Sequence, residues 1–246
     1  MTIIRTLLTY LYIILNVVFS KPWLASIQKK KEAGKLTAEE AYAKAHKYYM
    51  KFGKGCFALS NVKVEVTGLE NVPQDEAVLF VANHQSYFDI PAIMYSIPKP
   101  MGFVAKDDLG KIPFFKQWII SSGSVLIARG ETRKALEAII NAAKILKSGQ
   151  SLTIFPEGTR TTDGKLLEFK PGSLKAAQKG KVAIVPVVID GAVDVLNRNK
   201  FLIQPKTIRL TVLNKIDVEE VQSNDTTMLA ERIRHDIAVV LGQEAE

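Results

Sequence analysis

Residues 124–155 read SVLIARGETRKALEAIINAAKILKSGQSLTIF. The short apolar run 124–128 reads as a strand, and so does 151–155. Between them, 131–147 carries Leu136, Ile139, Ile140, Ala143 and Leu146 on one helical stripe. A strand, a helix and a second strand in this order form a crossover unit, which joins parallel neighbours.

The same alternation extends in both directions. Apolar or alternating runs at 62–66, 77–82, 102–105, 182–189 and 207–213 read as further strands. Residues 172–179 and 226–241 read as helices, the second started by Asn224 or Asp225. The fold class is therefore α/β, with a largely parallel central sheet flanked by helices. Thr37-Ala-Glu-Glu40 is a capping-box pattern that opens another helix, expected to reach about Lys51 and to stop at Gly53 and Gly55. Residues 1–55 thus form a helical N-terminal region, and 56–246 the α/β domain.

Composition excludes several classes. The chain has 246 residues, 47% hydrophobic and 24% charged, with 15 Gly and 10 Pro. That is neither a disordered nor a low-complexity composition. One cysteine, Cys56, excludes an intrachain disulfide framework and a cysteine-based zinc site. Three histidines, His46, His84 and His235, do not suit a His-rich metal centre.

The net charge of +8 is unevenly placed. Residues 1–60 hold ten Lys or Arg against three acids, while the rest of the chain holds 23 against 22. Such asymmetry points to an anionic partner at the N-terminal end. From Thr6 to Ser20 no residue is charged, and Lys29-Lys30-Lys31 follow. This run is shorter than the roughly 18–20 apolar residues of a full span. It suits a tilted span or a helix lying in the bilayer interface, with Tyr10 and Trp23 as interfacial aromatics. A membrane surface is the expected partner; nucleic acid is not, because no recognition motif accompanies the basic stretch. An ordinary buried helix is one alternative; a signal peptide is another, but it lacks a convincing cleavage site here.

Three strand ends carry candidate chemistry. Asn83-His84-Gln85-Ser86-Tyr87-Phe88-Asp89 follows the run 77–82 directly. Ligand sites of open α/β sheets lie at the carboxyl ends of strands. If the chain turns there, Asp89 can accept the imidazole N–H and leave the other ring nitrogen as a base. A His that caps a helix beside an ordinary first-turn acid is the alternative. Phe155-Pro156-Glu157-Gly158-Thr159-Arg160 ends the next strand run; Gly158 lets the backbone turn, and Thr159 and Arg160 suit a phosphate. A loop with an internal Glu–Arg pair is the alternative. Arg129 stands at the end of 124–128.

Together these residues resemble the glycerolipid acyltransferases. The resemblance rests on His84-x4-Asp89, on residues 155–160 and on Val185-Pro186-Val187, in that order, and covers about residues 60–215. Lys106, Lys111-Ile112-Pro113-Phe114-Phe115 and Phe169-Lys170-Pro171-Gly172 also match. Two positions depart from the family pattern: Ala128 stands where an Asp often precedes the motif arginine, and Asp108 where a Glu is usual.

The resemblance implies transfer of a fatty acyl group from acyl-CoA or acyl carrier protein to the sn-2 hydroxyl of 1-acyl-sn-glycerol 3-phosphate. The product is phosphatidic acid. His84 is the implied base and Asp89 its orienting partner. Arg129, Arg160 and Lys106 are implied for the phosphate, with Gly158 and Thr159 in the same binding loop. Glu157 is implied to hold the acceptor's glycerol or to position Arg160, and loop N–H groups near Gly158 to serve the oxyanion. No metal or cofactor is implied, the acyl donor being a substrate. The expected location is the cytoplasmic face of the cell membrane. Other lysolipid acceptors, a thioester hydrolase and a non-enzymatic lipid-binding scaffold are the competing readings. Ser86, outside any G-x-S-x-G elbow, is a poor nucleophile candidate.

Overall fold

The computed structural model describes residues 1–112, 114–127, 132–197 and 199–243. Two helices come first, α1 (Thr2–Glu32) and α2 (Ala38–Ser60). Then follow β1 (Lys63–Thr67), β2 (Val78–Ala82), α3 (Asp89–Ser96), β3 (Met101–Lys106), α4 (Phe115–Ser121) and β4 (Val125–Ile127). The chain continues through α5 (Thr132–Lys147), β5 (Ser151–Ile154), α6 (Lys175–Gly180), β6 (Ala183–Asp190) and α7 (Ala192–Val195). It ends in β7 (Thr207–Val212), α8 (Val218–Ser223) and α9 (Thr226–Leu241).

The seven strands form one sheet in the order β1-β7-β6-β2-β5-β3-β4. The block β6-β2-β5-β3-β4 is parallel throughout. β7 runs antiparallel to β6, and β1 lies parallel to β7. The α/β expectation with a largely parallel sheet therefore holds.

β2 shows why its sequence reads as an unbroken apolar run. All five of its residues are buried, because helices cover both faces of the sheet. Val78, Phe80 and Ala82 pack toward the core that includes Leu24, Tyr49, Phe52 and Phe57. Leu79 and Val81 pack toward the opposite core, with Ala142, Leu146, Leu174 and Ile233. The molecule is thus three layers: α1, α2 and α3 on one face, the sheet, and α5, α6 and α9 on the other.

Two helix expectations need correction. α2 does not stop at Gly53 and Gly55; it continues to Ser60 and is capped by Asn61 in the left-handed conformation (φ 54°). The glycines serve close packing instead. A Cβ on Gly53 would lie 2.8 Å from the Tyr95 Cβ, and one on Gly55 would strike the Tyr12 ring of α1. On α5 the buried stripe is Ala138, Ile139, Ala142, Ala143 and Leu146, while Leu136 and Ile140 stay exposed. The stripe is rotated because the small alanines allow α5 to approach the sheet on their side. The capping box at Thr37 is present as expected, with Glu40 N donating to Thr37 Oγ1 and Thr37 N to Glu40 Oε2. Asp225 is the cap of α9.

α1 is one continuous helix and the one helix, among the described residues, long and apolar enough to cross a membrane by length and composition. Apolar side chains lie on both of its faces, Tyr12, Ile13, Val17 and Leu24 packing against the core of the domain. Thr6, Thr9, Ser20, Leu24 and Ile27 are buried against the domain. Ile3, Leu7, Leu11, Ile14, Phe19 and Trp23 are exposed. Polar groups fasten it: Ile203 N donates to Thr6 Oγ1 (3.0 Å), Tyr48 Oη to Asn16 Oδ1 (2.9 Å) and Trp118 Nε1 to Ser20 Oγ (2.8 Å).

Candidate active site

The carboxyl end of β2 is closed by its own side chains. Asn83 extends the ladder to β6: its Nδ2 donates to the Ile189 carbonyl and its Oδ1 accepts from Ile189 N, both at 2.8 Å. Gln85 Oε1 accepts from Ala192 N at 3.0 Å, at the start of α7. Ser86 Oγ donates to the Leu196 carbonyl at 2.7 Å and accepts from Phe88 N. These bonds turn the chain sharply between β2 and α3.

That turn brings His84 and Asp89 together. His84 Nδ1 lies 2.6 Å from Asp89 Oδ2. The same oxygen accepts from Gln85 N (2.7 Å) and Ser86 N (2.8 Å). Asp89 is fully buried at the first residue of α3. An acceptor bonded to two main-chain N–H groups has one orientation, so it fixes the imidazole that donates to it. The Phe155 ring stacks on the imidazole, with centroids 4.0 Å apart and planes 15° apart. Nδ1 is thereby committed to Asp89, and Nε2 is the ring nitrogen facing away from that bond.

The loop after β5 clamps His84 from behind. Glu157 Oε1 accepts from His84 N at 2.8 Å, and Thr161 N donates to the His84 carbonyl at 3.0 Å. Glu157 is buried, and its Oε2 has no hydrogen-bond partner among the described residues. Burial, chiefly, with a smaller push from Asp89, raises its carboxyl from the ordinary 4.5 to about 8. The carboxyl thus sits against the His84 main chain. Gly158 adopts a left-handed φ of +69°, and its N–H donates to the Phe155 carbonyl. That N–H is occupied in the turn.

Glu157 gives a prediction with two signs. Glu157→Ala removes the acceptor of the His84 N–H and is expected to lower kcat at least about tenfold, while Glu157→Gln keeps a carbonyl oxygen there and most of the rate. The folded chain retains a proton that the unfolded chain releases near pH 4.5. Stability should therefore be fullest below that pH, fall as pH rises toward about 8, and level off above it. Urea midpoints from pH 5 to 9 should show this slope in the wild type and its loss in Glu157→Gln.

The remaining expected residues divide. The Arg160 guanidinium lies 3.5 Å from the Tyr87 ring centroid, beside the His84 turn. Thr159 is exposed on the same loop. Lys106, at the end of β3, pairs with Asp108, and Lys111 shares that carboxylate at 2.9 Å. Lys106 and then Lys111 hold the Asp108 carboxyl down to about 2. Arg129 lies outside the described residues. Two other nucleophilic groups are buried: the Ser86 hydroxyl donates to the Leu196 carbonyl, and burial pushes the free Cys56 thiol up to about 12. No cluster of three metal-ligating side chains occurs among the described residues. The Lys170 ammonium lies 3.1 Å from where a Gly158 Cβ would stand, so Lys170 borders the same loop. It belongs to the Phe169-Lys170-Pro171-Gly172 stretch that matches the family pattern.

A partly exposed imidazole bonded to a buried carboxylate, on the rim of an α/β sheet, is an arrangement found in hydroxyl-activating transferases and hydrolases. The family model described as Acyltransferase matches residues 63–190, from β1 through β6. The chain belongs to this acyltransferase family, and it is an enzyme. The 1-acyl-sn-glycerol-3-phosphate acyltransferase of Borreliella burgdorferi is 32% identical over 179 residues, covering 73% of this chain and 72% of that one. The chloroplastic 1-acyl-sn-glycerol-3-phosphate acyltransferase LPAT1 of Arabidopsis thaliana is 36% identical over 130 residues, 52% of this chain and 36% of that one. The crystal structure of the 1-acyl-sn-glycerophosphate (LPA) acyltransferase PlsC from Thermotoga maritima matches with a TM-score of 0.81 and 28% identity. It covers 98% of this chain and 96% of that one.

Proposed function

We propose that the enzyme moves a fatty acyl group from a thioester, acyl-CoA or acyl carrier protein, to the sn-2 hydroxyl of 1-acyl-sn-glycerol 3-phosphate. The relatives' names support acylation of lysophosphatidic acid to phosphatidic acid. The observation that carries the mechanism is the 2.6 Å contact between His84 Nδ1 and buried Asp89, with the other ring nitrogen uncommitted.

His84 Nε2 takes the proton of the acceptor hydroxyl as its oxygen attacks the thioester carbonyl. Asp89 stabilises the imidazolium that forms. Collapse of the tetrahedral intermediate breaks the C–S bond and forms the ester, and the proton passes from His84 to the departing thiolate. A thiol with an ordinary pKa of about 8.5 leaves readily, so no covalent enzyme intermediate is required.

Arg160, with Lys106 and Arg129 as further cations, binds the acceptor phosphate; Gly158 and Thr159 shape that loop. Glu157 holds the His84 main chain. Losing one charged hydrogen bond of this kind costs about 1.5–3 kcal/mol. Arg160→Ala should therefore raise the KM for lysophosphatidate roughly 10- to 100-fold. It should leave the KM for monoacylglycerol, which has no phosphate, nearly unchanged. Equal changes for both acceptors would exclude Arg160 from the phosphate site.

Residues 1–55 act as the membrane-associating region, on the cytoplasmic face. The support is α1, fastened to the domain by the hydrogen bonds of Thr6, Asn16 and Ser20 and by buried Leu24 and Ile27, and presenting further apolar side chains outward. A helix tied down from Thr6 to Ile27 suits the interface rather than a crossing. Tyr10 of α1 lies within electrostatic reach of Tyr87, over which Arg160 sits, so the mouth of the site adjoins this helix. In liposomes with lysophosphatidate and either donor, equal amounts of thiol and phosphatidic acid are expected. Thiol without phosphatidic acid would instead favour a hydrolase or another acceptor.

A further inference from the structure

The C-terminal third of α1 and the first half of α2 enclose a groove of about 620 Å³. Trp23, Ile27 and Tyr48 form its apolar floor, with the Trp23 and Tyr48 rings 5.3 Å apart between centroids. Lys30, Lys35, Lys44, Lys47 and Lys51 line it, and no carboxylate does. A second recess of about 610 Å³, lined by Lys29 among others, shares Ser26, Lys30 and Lys35 with the first.

Three features mark the groove as built for an anion. None of the five ammonium groups has a salt-bridge partner among the described residues. Lys44, Lys47 and Lys51 repeat at i, i+3 and i+7 along α2, a spacing at which like charges repel unless a counter-charge is present. The nearby Glu40 is drawn away, its carboxylate bonded to Thr37 N in the capping box.

The location selects the kind of anion. Trp23 belongs both to the groove and to the exposed apolar stripe that begins at Ile3. A ligand here would have its charged end among lysines and its apolar part against α1. The groove is also remote from the chemistry: Tyr10, which adjoins the site mouth, and Ile27 are about 25 Å apart along the helix. It is therefore a second site, separate from the acceptor-phosphate cations.

From this geometry we infer that the groove binds the phosphate headgroup of an anionic membrane phospholipid, whose chains lie along Trp23 and the α1 stripe. The inference rests on the interfacial reading of α1 given above. A groove of this volume holds one headgroup with its glycerol. Lysine supplies point charges that accept a phosphate in several orientations.

The test uses the full chain and phosphatidylcholine vesicles containing a few per cent of lipid brominated in its chains, which quenches nearby tryptophan. Brominated phosphatidylglycerol should quench the emission at least threefold more than brominated phosphatidylcholine at equal mole fraction. The triple variant Lys44→Gln, Lys47→Gln, Lys51→Gln should abolish the difference. Its charge-matched control, Lys147→Gln, Lys179→Gln, Lys206→Gln, should retain it. Binding to vesicles with equal quenching by both lipids would overturn the groove and leave the interfacial helix standing. No binding to any vesicle would overturn the helix reading itself. Loss of the difference in millimolar inorganic phosphate would mean that the site takes free phosphate rather than lipid. Unchanged quenching in the groove variant, with a selective loss of rate on acyl carrier protein donors, would assign the lysines to an acidic protein and overturn the lipid.

Discussion

Replacing His84 with alanine is expected to lower kcat for acyl transfer by about 1,000-fold, with the KM for lysophosphatidate changed by less than about threefold. The magnitude follows from the acceptor. An alcohol holds its proton about as tightly as bulk water, whose pKa is about 15.7, so little alkoxide exists at neutral pH without a base. In the proposed mechanism His84 is that base, with one nitrogen bound at 2.6 Å to Asp89 and its ring held by Phe155. Asp89→Asn keeps an oxygen that can accept from Gln85 N and Ser86 N, so the turn should persist. It removes the negative charge that stabilises the imidazolium, a difference of about 1–3 kcal/mol, or roughly 10- to 100-fold in kcat. The double variant should be no slower than His84→Ala within about twofold, because the two residues act as one unit. Single-turnover rates at saturating lipid provide the measurement. A His84→Ala enzyme that keeps a tenth of the wild-type rate would remove His84 from the role of base.

The central strands β2, β5 and β6 are legible because both faces of the sheet are covered there, while β1 and β7 show the alternation of partly exposed strands. Burial on two sides demands apolar side chains at every position of β2, and the run Val78–Ala82 meets that demand. Helix limits are less legible where a residue serves packing rather than local conformation. Gly53 and Gly55 look like helix breakers, but they admit Tyr95 and Tyr12 to the backbone of α2. The His84–Asp89 pair is local and follows a strand, so spacing alone suggests it. The groups that hold it in place are not local. Asn83, Gln85 and Ser86 find their partners 106 to 110 residues away, and Glu157 reaches His84 across 73. Single-sequence spacing carries no information on which distant loop crosses which strand end. Glu157 in particular is polar, follows a proline and precedes a glycine, all signs of an exposed loop, yet the β5 loop folds it beneath the histidine.

Leu7→Gln, Leu11→Gln and Ile14→Gln combined should reduce partitioning onto vesicles about 100-fold while leaving the fold intact. Each of these side chains is about half exposed (53%, 51% and 58%) on the outer face of α1. Full burial of a leucine or isoleucine contributes about 1.5–3 kcal/mol, so half-exposed side chains entering the interface contribute about 1 kcal/mol each. Three such losses give about 3 kcal/mol, or two decades in a partition constant. Glutamine is nearly as good a helix former as leucine, so α1 itself should remain helical. Substitution is the cleaner probe than removal of residues 1–35, because Leu24 and Ile27 on the inner face are buried against the domain. Deletion would uncover that core and confuse unfolding with loss of membrane contact. The triple variant should keep the wild-type melting temperature and should acylate a water-soluble short-chain lysophosphatidate within about threefold of the wild-type rate. Its rate on vesicle-borne acceptor should fall in step with the bound fraction, since the inner face of α1 still holds the helix beside the Tyr87–Arg160 mouth. Sedimentation with vesicles at the wild-type level would show that the outer face of α1 does not meet the lipid.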